Sequence, residues 1–282
     1  MVSTDAAAAQ MRSNTADHTG MNVPKRMGAL VRVLLLGPVE VVVSGDARPV
    51  PGLRRRAVLA TLALHCGDIV GTDRLVHAVW GDDSSPKAVL TLQRHLSFLR
   101  DALGDKTAIV ARPPGYLLDL GADGTDVRMA ERLFQAGSQT DDLIGKVRIL
   151  RTALALWRGQ PLADVAGSGG WLEQQAQRLD LLHLQVKRAL CRARLTAGEH
   201  GQLIPDLEQM AAGQPLDEQI QAQLMVALYR SGRQADALAV YRRLRRTLDV
   251  QLGIDPTRML RDLETAILRQ DPALDEPALA WV

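Results

Sequence analysis

Aromatic residues are scarce in this 282-residue chain: Phe, Trp and Tyr together make up 3%. Its core must therefore be built mostly from Leu, Val and Ala, and the abundance of Leu and Ala favours helix over sheet. Cysteine is nearly absent. Cys66 and Cys191 lie far apart in apolar helical patterns. That usage excludes a disulfide framework or a CxxC metal site and fits a reducing cytoplasm. No apolar run is long enough to span a membrane. The first 28 residues lack the apolar stretch of a secretory signal and read as a disordered arm, with Met21 or Met27 as alternative starts. Strong net charge is missing as well, the formal value being +2. Lysine is rare, at Lys25, Lys87, Lys106, Lys146 and Lys187 only, so the basic residues are mostly arginine. Arginine suits bidentate contacts to phosphate and guanine, although codon usage in a GC-rich genome accounts for most of the excess. Catalytic signatures are absent too: there is no GxSxG, HExxH, Rossmann fingerprint or GxxxxGK[ST]. His18, His65, His77, His95, His183 and His200 are scattered through unrelated segments. No enzyme, cofactor or metal site is expected.

The length suffices for two compact domains. Residues 31–36 and 39–43 read as strands split by Gly37-Pro38, with a third short strand at 48–50. Residues 53–66 form a buried first helix. Thr72 is a good N-cap for a second helix running to Trp80. A third follows, capped by Ser85, opened by Pro86 and stopped by Gly104. Val89, Leu92, Leu96, Leu99 and Leu103 share the 3-4 spacing of one buried stripe. The opposite face carries Lys87, Leu90, Thr91, Arg94, Phe98 and Asp101. Two strands at 108–111 and 116–120 flank the turn Pro113-Pro114-Gly115. Helix, acidic turn, amphipathic helix and hairpin, in that order, predict a helix-turn-helix with a β wing.

Composition changes after Asp119. Gly121, Asp123 and Gly124 mark a linker, and only helices follow, near 126–136, 142–157, 171–197, 200–212, 215–230, 233–248 and 256–269. Gly198 and Gly232 lie 34 residues apart in similar surroundings, which is the tetratricopeptide period. In that pairing Leu203, Ile204 and Leu207 match Ala237, Leu238 and Tyr241. The expected fold is mainly α with a small β component: a winged helix-turn-helix domain at 29–121, then an all-α tetratricopeptide-like domain at 122–271. Residues 272–282 read as a flexible tail.

A helix fits the major groove of duplex DNA, and its N-terminal half reaches base edges. Arg94 can grip guanine, Leu90 and Thr91 can offer methyl groups to thymine, and Lys87 suits a phosphate. His95, at the edge of that face, suits either a phosphate or a structural role. Arg54, Arg55 and Arg56 open the first helix, where amides also attract phosphate. Arg112 at the wing tip is placed for an adjacent minor groove. The acidic turn 81–85 would repel DNA and must face protein or solvent.

LGPVEV, the Arg-rich start of the first helix, DRLVHAVWGDD, LRDALG and RPPGYLLD resemble the winged-helix domain of the Streptomyces antibiotic regulatory protein family. That domain is similar to the output domain of OmpR-type response regulators. ALALWRGQPLADV through ALAVYRRLRRTLDVQLGIDP resembles the accompanying bacterial transcriptional activator domain. The resemblance covers roughly residues 29 to 271. It implies a cytoplasmic, nucleoid-associated activator of an antibiotic or secondary-metabolite gene cluster. Such an activator binds tandem direct repeats near the −35 region and recruits RNA polymerase through its sigma factor and other subunits. Trp80, Gly81, Asp82, Asp83, Ser84 and Ser85 would contact polymerase. The family usually has an aliphatic residue where Arg94 stands and a basic one where Phe98 stands. Apolar Trp157 and Trp171 at helix ends suggest that protomers pack head to tail on DNA. The alternative is a helical-repeat adaptor without autonomous DNA binding, using Arg242, Arg243, Arg245 and Arg246 as a partner patch.

Overall fold

The computed structural model describes residues 30–81, 87–168 and 170–276. The expected arm at 1–28, the expected cap Ser85 and the expected first helical residue Pro86 lie outside the described residues.

A three-stranded antiparallel sheet opens the fold, in the order β1 (Val31–Leu34), β2 (Glu40–Val43), β3 (Asp46–Arg48). The first strand ends two residues short of expectation. The amides of Leu35 and Leu36 leave the ladder and donate to the carboxylate of Asp126 at 2.8 and 2.9 Å. Helix α1 (Leu53–Leu64) follows, then β4 (Ile69–Gly71), a three-residue strand too short to carry a readable alternation. Helix α2 spans Thr72–Trp80, but Thr72 does not cap it. Gly71 holds the N-cap position, and the Thr72 hydroxyl donates to the Pro114 carbonyl at 3.2 Å. Helix α3 (Ala88–Leu103) ends on Gly104 in the left-handed conformation. Its buried stripe is Ala88, Leu92, Leu96, Leu99 and Leu103; Val89, expected inside, is 41% exposed because the smaller Ala88 takes the inner position. Strands β5 (Ile109–Arg112) and β6 (Gly115–Leu118) form the hairpin, and β4 joins them in the order β4-β6-β5. Gly115 sits where β6 crosses β4 so closely that a Cβ would overlap the Val70 carbonyl.

The helical half comprises α4 (Asp126–Gln139), α5 (Leu143–Leu154), α6 (Gly170–Thr196), α7 (His200–Gly213), α8 (Glu218–Arg230), α9 (Gln234–Leu252) and α10 (Arg258–Arg269). The 34-residue spacing is visible in three dimensions. Gly198 and Gly232 both adopt positive φ, 85° and 77°, where a side chain would be strained. Each turns a helix hairpin with the same bond pattern: Glu199 N–H donates to the Arg194 carbonyl, and Arg233 N–H to the Leu228 carbonyl. Leu203, Ile204, Leu207, Ala237 and Tyr241 are all buried at the hairpin interfaces. Residues 272–274, expected in a flexible tail, form a 3-10 turn with Leu274 buried. Arg230 holds it by donating to the carbonyls of Leu274, at 2.6 Å, and Glu276.

The expected linker joins the two halves firmly. Val33 N–H donates to the Gly124 carbonyl at 2.9 Å, and Arg158 and Leu162 N–H donate to Leu36 and Leu35. Asp164 accepts from Val39 N–H and pairs with Arg56, both at 2.9 Å. One apolar core runs through this seam, with Val33, Leu59 and Leu96 from the winged helix and Val127, Leu162 and Leu172 from the helical half. A second core lies within α6 to α10. Helix α6, 27 residues long, begins in the first core with Leu172, Ala176 and Leu179 and ends in the second with Cys191 and Leu195.

The two tryptophans expected to cover neighbouring protomers are occupied within the chain. Trp171 stacks on His65 at 5.2 Å and lies 5.4 Å from the Arg74 guanidinium. Trp157 stacks on His183 at 4.7 Å. Burial, and then the neighbouring Lys187, push the His183 pKa down to about 4. A folded-state pKa below the unfolded one favours the neutral ring, so stability is lost as pH falls from about 6.5, the ordinary histidine value, towards 4. Urea midpoints should decline across that window, and His183→Gln should flatten the decline. A His183→Gln profile that parallels the parent would show that other groups govern it.

Candidate nucleic-acid interface

Helix α3 presents one open strip, set by the packing of its other side. Leu92, Leu96 and Leu99 face the core, so the residues half a turn away are left in solvent. Leu90 is 59% exposed, and Gln93, Arg94 and Ser97 are exposed beside it. These four follow i, i+3, i+4, i+7 spacing and form a single row. Lys87, at the N-cap position, is exposed at the head of the row, and its carbonyl accepts the Thr91 hydroxyl at 3.1 Å. Thr91 is half-buried. Gln93 and Ser97 were not among the residues expected from sequence. The signal for them was their three-residue spacing from Leu90 and Arg94.

The row is rotated away from Thr91, His95 and Phe98 because arginines and a tryptophan cover that side. The Arg55 guanidinium lies 4.2 Å from the centre of the Phe98 ring, which explains an aromatic residue on an outward face. Trp80, at the end of α2, stacks nearly parallel on His95 at 6.0 Å, and Arg54 lies over Trp80 at 5.9 Å. His95 is half-buried, with its Nε2 out of solvent and unpartnered. Burial, then Arg55 and Arg54, push its pKa down, so the ring is neutral near pH 7. A neutral, turned-in imidazole is poorly suited to a phosphate. The structural role, one of the two expected for His95, is the one this geometry supports.

The three arginines of α1 part company. Arg54 is exposed, and Arg55 is half-buried against Phe98. Arg56 turns the other way, into the seam, to meet Asp164. Arg56 thus differs from Arg54 and Arg55 in forming an ion pair within the seam. Gly52 caps α1 with no side-chain bond and no acidic residue follows in the first turn, so the helix start carries uncompensated positive potential. Arg112 is exposed at the end of β5, paired across the hairpin with Gly115. Of the expected polymerase-contact turn, Trp80 is engaged by His95 and Arg54, and Gly81 ends α2 at φ 68°. Asp82, Asp83, Ser84 and Ser85 lie outside the described residues. No group of three or more candidate metal ligands occurs among the described residues, and no helix there is long and apolar enough to cross a membrane.

Comparison with known proteins adds to this geometry. The sequence profile of the bacterial transcriptional activator domain matches residues 125–268. The regulatory protein DnrI of Streptomyces peucetius is 34% identical over 259 residues, covering 87% of this chain and 94% of that protein. The regulatory protein AfsR of Streptomyces coelicolor is 37% identical over 257 residues, covering 90% of this chain. The chain spans about a quarter of AfsR, 26% of its length. The solved structure of Mycobacterium tuberculosis EmbR, in complex with a low-affinity phosphopeptide, superposes with a TM-score of 0.83 at 32% identity, covering 86% of this chain and 66% of that one.

Proposed function

Because the chain belongs to the Streptomyces antibiotic regulatory protein family, we propose that it is a sequence-specific, DNA-binding transcriptional activator of an antibiotic or secondary-metabolite gene cluster. The observation that carries this reading is the open row Leu90, Gln93, Arg94 and Ser97 on α3, with Arg54 of α1 and Arg112 of the wing also exposed. In this reading the row enters the major groove. Arg94 donates two bonds to guanine, Gln93 suits adenine and Leu90 packs on a thymine methyl. Lys87, Arg54 and the amides of the α1 start hold phosphates. Arg112 enters the minor groove, where a narrow groove concentrates negative potential. The relatives are named as regulators, which agrees with a role other than catalysis.

One winged helix offers limited contact area, so a second copy on a neighbouring repeat would raise affinity. We place the two copies head to tail on direct repeats near the −35 region. RNA polymerase, met through its sigma factor and other subunits, would be recruited by the turn after α2. The protein would then reside in the cytoplasm on the nucleoid. Cutting the chain after residue 121 cannot test cooperativity, because the two halves share a core.

The test is selection from a randomised duplex pool with the whole chain at moderate salt. Two direct repeats about one helical turn apart should be enriched. A folded protein that enriches nothing, and whose weak DNA binding shows no steep salt dependence, would favour the adaptor reading.

A further inference from the structure

The outer face of α9 carries a groove of about 880 Å³ lined by Ala239, Arg242, Arg245, Arg246, Asp249 and Asp255. Helix α9 packs against α8 and α10, so this groove belongs to the helical half. Arg245 is shared with Asp255 at 3.5 Å, with both side chains more than 60% exposed. Arg242 spends its Nε on the Leu238 carbonyl of its own helix. Among the described residues, neither Arg242 nor Arg246 meets a carboxylate. Directly beyond the arginines, the last turn of α9 and the loop after it expose Val250 at 83%, Leu252 at 55% and Ile254 at 49%. Val250, the most open of the three, lies four residues beyond Arg246 and so on the same face of the helix.

We propose that this groove is a docking surface for an acidic, amphipathic segment of a partner protein. Carboxylates of the segment would pair with Arg242 and Arg246, and its apolar side chains would cover Val250, Leu252 and Ile254. One observation favours a protein over a nucleic acid. Exposed Val250, one turn beyond Arg246, has nothing to cover on a sugar–phosphate chain, whereas arginine beside apolar surface is the composition of protein interfaces. The proposal does not depend on the assignment of α3 to DNA.

The probe is a labelled helical peptide with Glu and Leu at three- and four-residue spacing, followed by fluorescence anisotropy with the whole chain. A matched peptide with Lys for Glu is the control. The Glu peptide should bind saturably and the Lys peptide should not. Arg242→Glu with Arg246→Glu should weaken binding roughly ten-fold or more, as expected for reversal of interface charges. Val250→Ser with Ile254→Ser should weaken it several-fold. All four positions are exposed, so circular dichroism should be unchanged. Failure of the Glu peptide to bind, or binding indifferent to both pairs of substitutions, overturns the proposal. Loss of duplex DNA affinity on charge reversal, with peptide binding intact, would make the groove a nucleic-acid contact and overturn it equally.

Discussion

Asp126→Ala is expected to lower stability by about 2–6 kcal/mol, because it leaves two buried N–H donors unsatisfied at about 1–3 kcal/mol each. For a chain of this size the melting temperature would fall by roughly 4–24 °C. The cause is local. Asp126 is 3% exposed and its two carboxylate oxygens take the amides of Leu35 and Leu36. Asp126→Asn keeps one acceptor but turns an amide N–H towards the second donor, so it should fall between the parent and alanine. Burial raises the Asp126 pKa, against the opposing pull of the Leu36 and Leu35 amides and of Arg158. A raised folded-state pKa means that its titration favours folding below the ordinary carboxylate range and that this contribution is lost as pH rises through the raised value. The gap between parent and alanine variant should therefore widen as pH falls towards that range. Calorimetry at two pH values checks both statements; an alanine variant that melts with the parent would mean that the seam does not hold the halves together.

Arg94→Ala is expected to weaken binding to the selected operator by about 1–3 kcal/mol, the worth of a bidentate contact to guanine, or roughly 5- to 150-fold. Binding to scrambled duplex should change far less. Arg94 is exposed in the middle of the open row and has no ion pair among the described residues. Its guanidinium is therefore not committed elsewhere before DNA arrives. The discriminating measurement is a competition titration at fixed salt with operator and scrambled duplex. An equal loss on both would make Arg94 a phosphate contact. Loss confined to one base position identifies that base.

The fold was largely legible because its strongest signals are periodic. The Leu92–Leu96–Leu99–Leu103 stripe, the stop at Gly104 and the repeat of Gly198 at Gly232 each reflect one local geometry, and each appears where expected. Most of the failures depend on partners distant in sequence. The strand that stops at Leu34 does so because of a carboxylate 91 residues away from Leu35. Arg56 turns from Arg54 and Arg55 towards Asp164, and no pattern in RRRAVL distinguishes it from them. On the outward face of α3, Lys87, Leu90, Arg94 and Asp101 are exposed as read, while Thr91 and Phe98 are half-buried. A helical wheel fixes which residues oppose the core, but not which of them are covered by Arg55 and Trp80. Trp157 and Trp171 looked free because their histidine partners, His183 and His65, carry no local signature.

Helix α6 runs unbroken for 27 residues from the first core into the second, about 40 Å at 1.5 Å per residue. Mechanically it is a beam clamped at both ends. Its first turn carries Trp171, wedged against His65 at the end of α1 and Arg74 of α2. A tilt of only about 5° would displace one end by roughly 3–4 Å relative to the other over such a length. With both ends embedded, α6 therefore ties the placement of the repeat hairpins to that of α1 and α2.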